Sequence, residues 1–386
     1  MRNAHHPFSR YRASFPALQN TVYLISHSLG AMPEQTRSYM NRFLQRWAEE
    51  GIRAWELEWW DLPIQVGNKL AALIGAPPGS VSTHQNVTLA EAVILSCFRF
   101  DEPRRKIVFS ELNFPSVMYL YYAHQELGAE INVVPADADG IGVDIERLLD
   151  AIDERTLLVP VSHVLFKSGF VQDIAAIVEK AERVGAYVVA DLYQSAGVMP
   201  IDVTRWGVHF AVGGSVKWLC GGPGVAYLYV RPDLLPQLCP RLTGWMAHEA
   251  PFAFEPGPIR YAQTAFRMLN GTPHVPALYA AQAGYDLISE IGPAAIREWN
   301  LKLSEYVIEQ ARFYGWRLNC PAAPEQRGGT VILDLPDAEQ VVRELDRRRI
   351  QVDYRPGAGI RIGPHFYNTL EDCEVFIENI RDILTK

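Results

Sequence analysis

The chain has 386 residues, 48% of them hydrophobic and 21% charged, with a formal net charge of −8. That length exceeds what one core ordinarily holds, so two domains are expected, and the apolar fraction excludes a disordered chain. The acidic balance and the lack of any basic run argue against a nucleic-acid partner, and no apolar run reaches the ~18 residues of a membrane helix.

Five scattered cysteines, none in a CxxC pair, fit a reducing cytoplasm better than a disulfide scaffold or a zinc site. The opening MRNAHHPFSRYR lacks the apolar core of a secretory signal, so a cytoplasmic protein is expected. Residues 1–20 are polar and contain proline, which reads as an irregular arm. TVYLISHSLGAMP supplies a short strand and a turn, and Pro33 opens a helix to about residue 46. Four of the nine tryptophans, Trp47, Trp55, Trp59 and Trp60, crowd the next stretch. They read as packing a domain or subunit seam in preference to lining a substrate entrance. A helix over 63–74 leads into the loop GAPPGSVSTHQNVT. Thr88-Leu-Ala-Glu91 ahead of AVILSCF has the form of a capping box, so a helix is expected to start at Thr88. The free N–H groups and positive dipole of such a start suit a phosphate.

From Lys106 onward strands and helices alternate, the pattern of a wound α/β sheet. KIVFSEL, EINVVPA, RTLLVPVSHV and YVVADL read as strands, with helices over 115–127, in DIERLLDAI and over 173–184 between them. Phe114 stands between strand and helix, where its ring could stack on a cofactor or join the core. The apolar run from Tyr187 to Ala190 ends in Asp191, and a second, Phe210 to Val212, leads through Gly213, Gly214 and Ser215 to Lys217. Strand ends in such a sheet line the ligand crevice. A lysine between GGS and WLCGGPG stands in an apolar, glycine-rich setting where solvated lysines are seldom found. An acid and a lysine aimed into one crevice suit pyridoxal 5'-phosphate (PLP). The lysine forms a Schiff base, and the acid keeps the pyridine nitrogen protonated so that the ring can withdraw electrons.

VAYLYV follows as a further strand, then a long irregular connection over 231–275 and two helices, 273–290 and 293–314. TVILDL, AEQVVRELDRR, IQVDYR, GIRIGP and LEDCEVFIENIRDIL close the chain as strand, helix, two strands and helix, a small α+β unit. The expected division is an N-terminal arm and helix over 1–60 packed on the small domain or an interface, a large domain over 61–290, and a small domain over 291–386.

ADLYQSAGVMPIDVTRWGVHFAVGGSVKWLCGGPG, SHVLFKSGFVQDI, GWMAHE and IRIGPHFYNTLED together resemble the class V aminotransferase family of fold type I PLP enzymes, most closely its kynureninase branch. The resemblance implies an aspartate-aminotransferase-like large domain with a mostly parallel seven-stranded sheet, plus a small C-terminal α+β domain. It implies Lys217 as the Schiff-base lysine, Asp191 on the pyridine nitrogen and Phe114 on the ring face. Thr88, the Val87 backbone and Ser215 would cradle the phosphate. Trp245 and Thr272 match residues that reach it from the neighbouring subunit of a homodimer. Arg361 matches the arginine that grips the α-carboxylate of an amino-acid substrate.

The kynureninase pattern has a tyrosine before the lysine, an aspartate two residues past the proline of the FPSD-type turn, and a histidine three past the acid. Here those positions are Val216, Val117 and Gln194, and the asparagine of the GNSLG-type motif is His27. Gln194 is instead similar to the cysteine desulfurase pattern, in which a glutamine meets the cofactor's phenolic oxygen. Cys320 lies in roughly the region of that group's nucleophilic cysteine, without its surrounding motif. His27, His248, Tyr354 and the tryptophan cluster are candidates to face the substrate. Kynureninase-like cleavage of a small or aromatic L-amino acid is the reaction the resemblance favours, with transamination, desulfuration or β-elimination, and epimerisation as alternatives, and a catalytically silent PLP-fold binding protein as the least favoured reading.

Overall fold

Seven strands pair into one sheet, in a computed structural model that describes residues 6–385; residues 1–5 of the expected arm lie outside the described residues. From edge to edge the strands are Val81–His84, Ala226–Val230, Phe210–Gly214, Tyr187–Asp191, Thr156–Ser162, Lys106–Ser110 and Glu130–Val134. The last five pair in parallel, and Ala226–Val230 runs antiparallel to both of its neighbours. Parallel strands covered on both faces need apolar side chains in both directions. Val188 and Ala190 accordingly pack on one side with Ile177 and Ala181, and Val189 on the other with Phe210 and Val212. The helix Ile174–Val184 shows how the intervening elements are set. Asp173 caps it by accepting from the Ala176 N–H at 3.0 Å, and Gly185 ends it at φ +73°. The register sets Ser162 and Val212 on either side of Asp191; Ser162 and Asp191 end their strands, and Val212 stands two residues before the end of its own.

Two local expectations are corrected. Val81–His84 is a strand where a loop was expected. Its residues Ser82, Thr83 and His84 carry no apolar signal, and their burial comes from pairing with Ala226–Val230. The next helix is Val87–Ser96, capped by Asn86, whose side chain accepts from the Leu89 N–H at 3.0 Å. Asn86 is extended, as a cap must be, and asparagine outranks threonine in that role. Thr88 therefore lies inside the first turn, and Glu91 points into the core and not back at a cap.

The C-terminal part builds a four-stranded antiparallel sheet in the order Asp353–Arg355, Gly359–Ile362, Val331–Asp334, Arg317–Leu318. Its core draws on the helices Pro293–Phe313, Ala338–Arg347 and Leu370–Leu384. The N-terminal chain returns to it. Val22–Tyr23 pairs in parallel with Ile350–Gln351, and Leu24 packs in the same core and accepts from the Gly363 N–H at 2.7 Å. In the tryptophan stretch, Trp59 is buried against Phe43 and donates to the Tyr279 hydroxyl at 3.3 Å, while Trp60 meets Trp245 and Phe252. Among the described residues no helix is long and apolar enough to cross a membrane.

The turn that carries Lys217 is clamped from two sides. Gly30 donates its N–H to the Val216 carbonyl at 2.8 Å, and a Cβ on Gly30 would lie 2.1 Å from the Lys217 carbonyl oxygen. On the helix Val275–Ile291, a Cβ on Gly284 would lie 2.1 Å from the Leu219 oxygen. Both neighbours are backbone and cannot swing aside. Gly284→Ala is expected to destabilise the fold by about 1–3 kcal/mol, the usual range for overpacking, despite alanine's better helix propensity. Urea unfolding reads this directly, and a midpoint at or above that of the wild type would show that the clamp is not tight.

Candidate active site

At the carboxyl ends of the central strands lies a cavity of about 230 Å³. Val87, Thr88, Phe114, Asp191, Gln194 and Lys217 line it, all six singled out from sequence, and Ser162, Phe166 and Tyr193 are among the others. Val87 and Thr88 sit in the first helical turn, where backbone N–H groups have no partner within the helix. Lys217 Nζ stands 4.4 Å from the centre of the Tyr193 ring and 5.6 Å from that of Phe114. Phe114 in turn meets Phe166 edge to face at 5.1 Å. Glycine makes room for this packing: a Cβ on Gly214 would fall 2.4 Å from the Tyr193 ring.

Burial pulls the Lys217 amine down to about 8, with Asp191 opposing that shift and Arg361 adding to it. Burial raises the Asp191 carboxyl, against the Tyr193 N–H, which donates to it at 2.9 Å, and the charge of Lys217. An amine close to neutrality and a buried carboxylate in one pocket are what a pyridoxal ring requires of its protein. The aromatic flanks and the open helix start suit the rest of that molecule, so the donor set fits.

The other candidates are placed differently. Ser215 is fully buried and its hydroxyl bonds the Tyr285 hydroxyl, so its side chain does not line the cavity. Gln194 does line it, but its amide is engaged at both ends: the oxygen accepts from Trp218 Nε1 at 3.1 Å and the nitrogen donates to the His27 carbonyl at 3.2 Å. His27 is fully buried, with Nε2 3.1 Å from Asp353, and burial next to Arg361 lowers it to about 4, leaving it neutral. Arg361 holds Asp353 by two N–H groups and donates to the carbonyl of Phe166, a cavity residue, at 2.6 Å. Trp245 is half-exposed among Trp60, Phe252 and Phe254. Thr272 borders a separate small void with His84, Gln85 and His274. His248 Nδ1 accepts from the Ala250 N–H, and its ring is not part of the cavity wall. Tyr354 borders a separate cleft, with Lys167 and Gly357. Cys320 is buried, its thiol pushed up by burial, with the Ile332 carbonyl 4.0 Å from sulfur. Val216 and Val117 replace polar residues with side chains that can neither donate nor accept; Val117 is part of the core.

Sequence reasoning passed over Tyr193, Asp353 and Tyr121, and read Glu91, which is buried against Tyr121, as a capping residue. Tyr193 could have been suspected from the two consecutive glycines, Gly213 and Gly214, which leave space for a large neighbour. Asp353 was within reach too, because a hairpin joining IQVDYR to GIRIGP sets Asp353 opposite Arg361.

Residues 22–376 match the family described as aminotransferase class-V. The chain is 32% identical over 375 residues to an uncharacterized aminotransferase, YcbU, of Bacillus subtilis (strain 168), covering 96% of each. It is 29% identical to a kynureninase of Burkholderia pseudomallei (strain 1106a), over 98% of this chain and 92% of that one. The apo structure of a cysteine desulfurase from Thermococcus onnurineus NA1 superposes with a TM-score of 0.87 over the whole of both chains, at 21% identity, a likeness of fold alone. The chain belongs to the class V aminotransferase family. It has the fold of the fold type I PLP enzymes, and PLP is the cofactor of its kind.

Proposed function

We propose that the protein removes the α-proton of a small or aromatic L-amino acid and, in the manner of kynureninase, cleaves a carbon–carbon bond of its side chain. The observation that carries this reading is the Lys217 amine, lowered to about 8, in one cavity with the buried carboxylate of Asp191. PLP held there would supply the electron sink for the charge left on Cα. Lys217 is the base that takes the proton, with a pKa near the operating range that general base catalysis favours. Asp191, shielded from water, would hold a proton on the ring nitrogen of bound PLP. The first-turn N–H groups at Val87 and Thr88 would hold its phosphate, Phe114 would cover the ring, and Arg361 would take the substrate carboxylate. Water then adds to the side-chain carbonyl, the bond from that carbonyl carbon to Cβ breaks with its electron pair passing to Cβ, Cβ takes up a proton, and an acyl or aroyl acid leaves.

Near-full-length similarity to a kynureninase supports the choice of reaction. A persulfide-forming route draws no support from Cys320, whose thiol is buried. Trp245 and Thr272, both outside the cavity of their own chain, support a homodimer in which each serves the partner's site. The division at 1–60, 61–290 and 291–386, and a cytoplasmic setting, belong to the same proposal.

The test is an absorbance titration of the purified protein with PLP and a panel of L-amino acids including kynurenine and cysteine, followed by product analysis. The amino acid that shifts the cofactor band names the substrate class, and a protein that takes up no PLP ends the proposal. L-kynurenine itself is expected to turn over at least roughly 100-fold more slowly than the best substrate, because Val216 supplies no proton donor. Anthranilate formed at rates matching the best substrate would contradict that.

A further inference from the structure

The carboxylate of Asp353 gathers five polar contacts from three parts of the chain. Its Oδ1 lies 3.1 Å from His27 Nε2 and accepts from Arg361 Nε at 2.8 Å. Its Oδ2 accepts from Arg361 Nη2 at 2.6 Å and from the Ser28 hydroxyl at 2.5 Å, and lies 3.1 Å from Arg355 Nη2. Burial alone would raise this carboxyl. The hydrogen bond from His27 and the fork of Arg361 more than reverse that and hold it well below the usual carboxylate range.

A guanidinium has five N–H groups, and those of Arg361 can be followed one by one. The Nε and Nη2 edge is filled by Asp353. The second N–H of Nη2 goes to Ser28 Oγ at 3.1 Å, and Nη1 donates to the Phe166 carbonyl. Arg361 is not itself part of the cavity wall, but its Nη1 bonds the carbonyl of Phe166, which is, and the other N–H on Nη1 has no protein acceptor among the described residues. The side chain of Arg361 is 3% exposed, so its orientation is set by these partners and not by solvent. The charges point the same way. With His27 neutral, two guanidiniums share one carboxylate, which leaves a single positive charge for one incoming carboxylate to balance.

We propose that Asp353 is the positioning residue for substrate binding: it locks the Nε edge of Arg361, turns Nη1 toward the cavity, and so makes that arginine selective for an α-carboxylate presented there. The inference rests on the proposed role of Arg361 as the carboxylate site. Ser28 contributes by bonding both members of the pair.

The experiment titrates the holoenzyme by absorbance with two pairs of probes, L-alanine against ethylamine and L-phenylalanine against phenethylamine. The members of each pair differ by the α-carboxylate. The wild type is expected to prefer at least one acid over its amine, and Arg361→Ala to erase that preference. A wild type that binds neither acid or shows no preference, or an Arg361→Ala variant that keeps it, overturns the underlying reading of Arg361. Asp353→Asn is expected to keep its cofactor band and its affinity for the amines while its preference for the acid falls by roughly 10- to 100-fold, the scale of an ångström's misplacement. An unchanged preference in Asp353→Asn, or an equal loss for acid and amine, overturns the positioning role and leaves that of Arg361 intact. If Asp353→Asn does not fold, Ser28→Ala decides: the loss of one neutral hydrogen bond should reduce the same preference by about 2- to 10-fold. No change there would overturn the proposal.

Discussion

Lys217→Ala is expected to lose the absorbance band above 400 nm on addition of PLP, with α-proton exchange reduced by roughly 10⁴-fold, the upper end of what a positioned base contributes. Exchange of the Cα proton of L-amino acids with deuterated water, followed by NMR, reads the base without requiring the physiological product to be known. The lowered pKa adds a pH dependence with a definite sign. Below about pH 8 the amine of the free protein is mostly protonated and cannot attack the cofactor's aldehyde; above it, the amine is mostly neutral. The rate of cofactor capture by the apoprotein should therefore climb from pH 6 and level off beyond about pH 8. A rate still rising steeply through pH 10 would mean that Lys217 behaves as an ordinary solvated lysine. A band that persists in Lys217→Ala would place the Schiff base on another amine and remove the central premise of the proposed function.

Glu91→Gln is expected to stabilise the protein, and to do so only above acid pH. Glu91 lies on the buried side of the helix Val87–Ser96, where the Tyr121 hydroxyl donates to it. Burial pushes its carboxyl up to about 8, and the charge of Asp191 adds to the shift, while Tyr121 opposes it. The unfolded chain releases that proton near the ordinary value of 4.5, and the folded chain keeps it to about pH 8. Across that window the folded state binds more protons, so stability falls as pH rises, at about 1.4 kcal/mol per pH unit, or about 3 kcal/mol by pH 7. Glutamine carries no proton to lose, and its amide oxygen can still accept from Tyr121. Urea midpoints of the two proteins should coincide near pH 4.5 and separate in favour of the variant at pH 7.5. Equal midpoints at pH 7.5 would mean that Glu91 is ionised in the fold and has found a partner for its charge.

Much of the architecture could be read from residue order because strand and helix signals act over short distances. The helix Ile174–Val184 begins at an aspartate cap and ends at a glycine in the left-handed region, and its apolar spacing already names the face it buries. Asp191 and Lys217 were visible for a related reason. A charge at the end of an apolar run, or inside a glycine-rich apolar segment, contradicts its surroundings, and such contradictions mark sites. The strand Val81–His84 gave no comparable sign. Its polar side chains are buried only because a distant strand pairs beside it.

The fate of the polar side chains divides along the same line. The chain by itself determines the alternation of strand and helix and the presence of a lysine and an acid at neighbouring strand ends. Tertiary structure alone decides that the Ser215 hydroxyl turns to Tyr285, that Gln194 is held between Trp218 and His27, and that the fork of Arg361 closes on Asp353. The reason is physical: a backbone preference is a property of a residue and its near neighbours, whereas a buried polar group takes its role from whichever partner satisfies it, and that partner arrives from elsewhere in the chain.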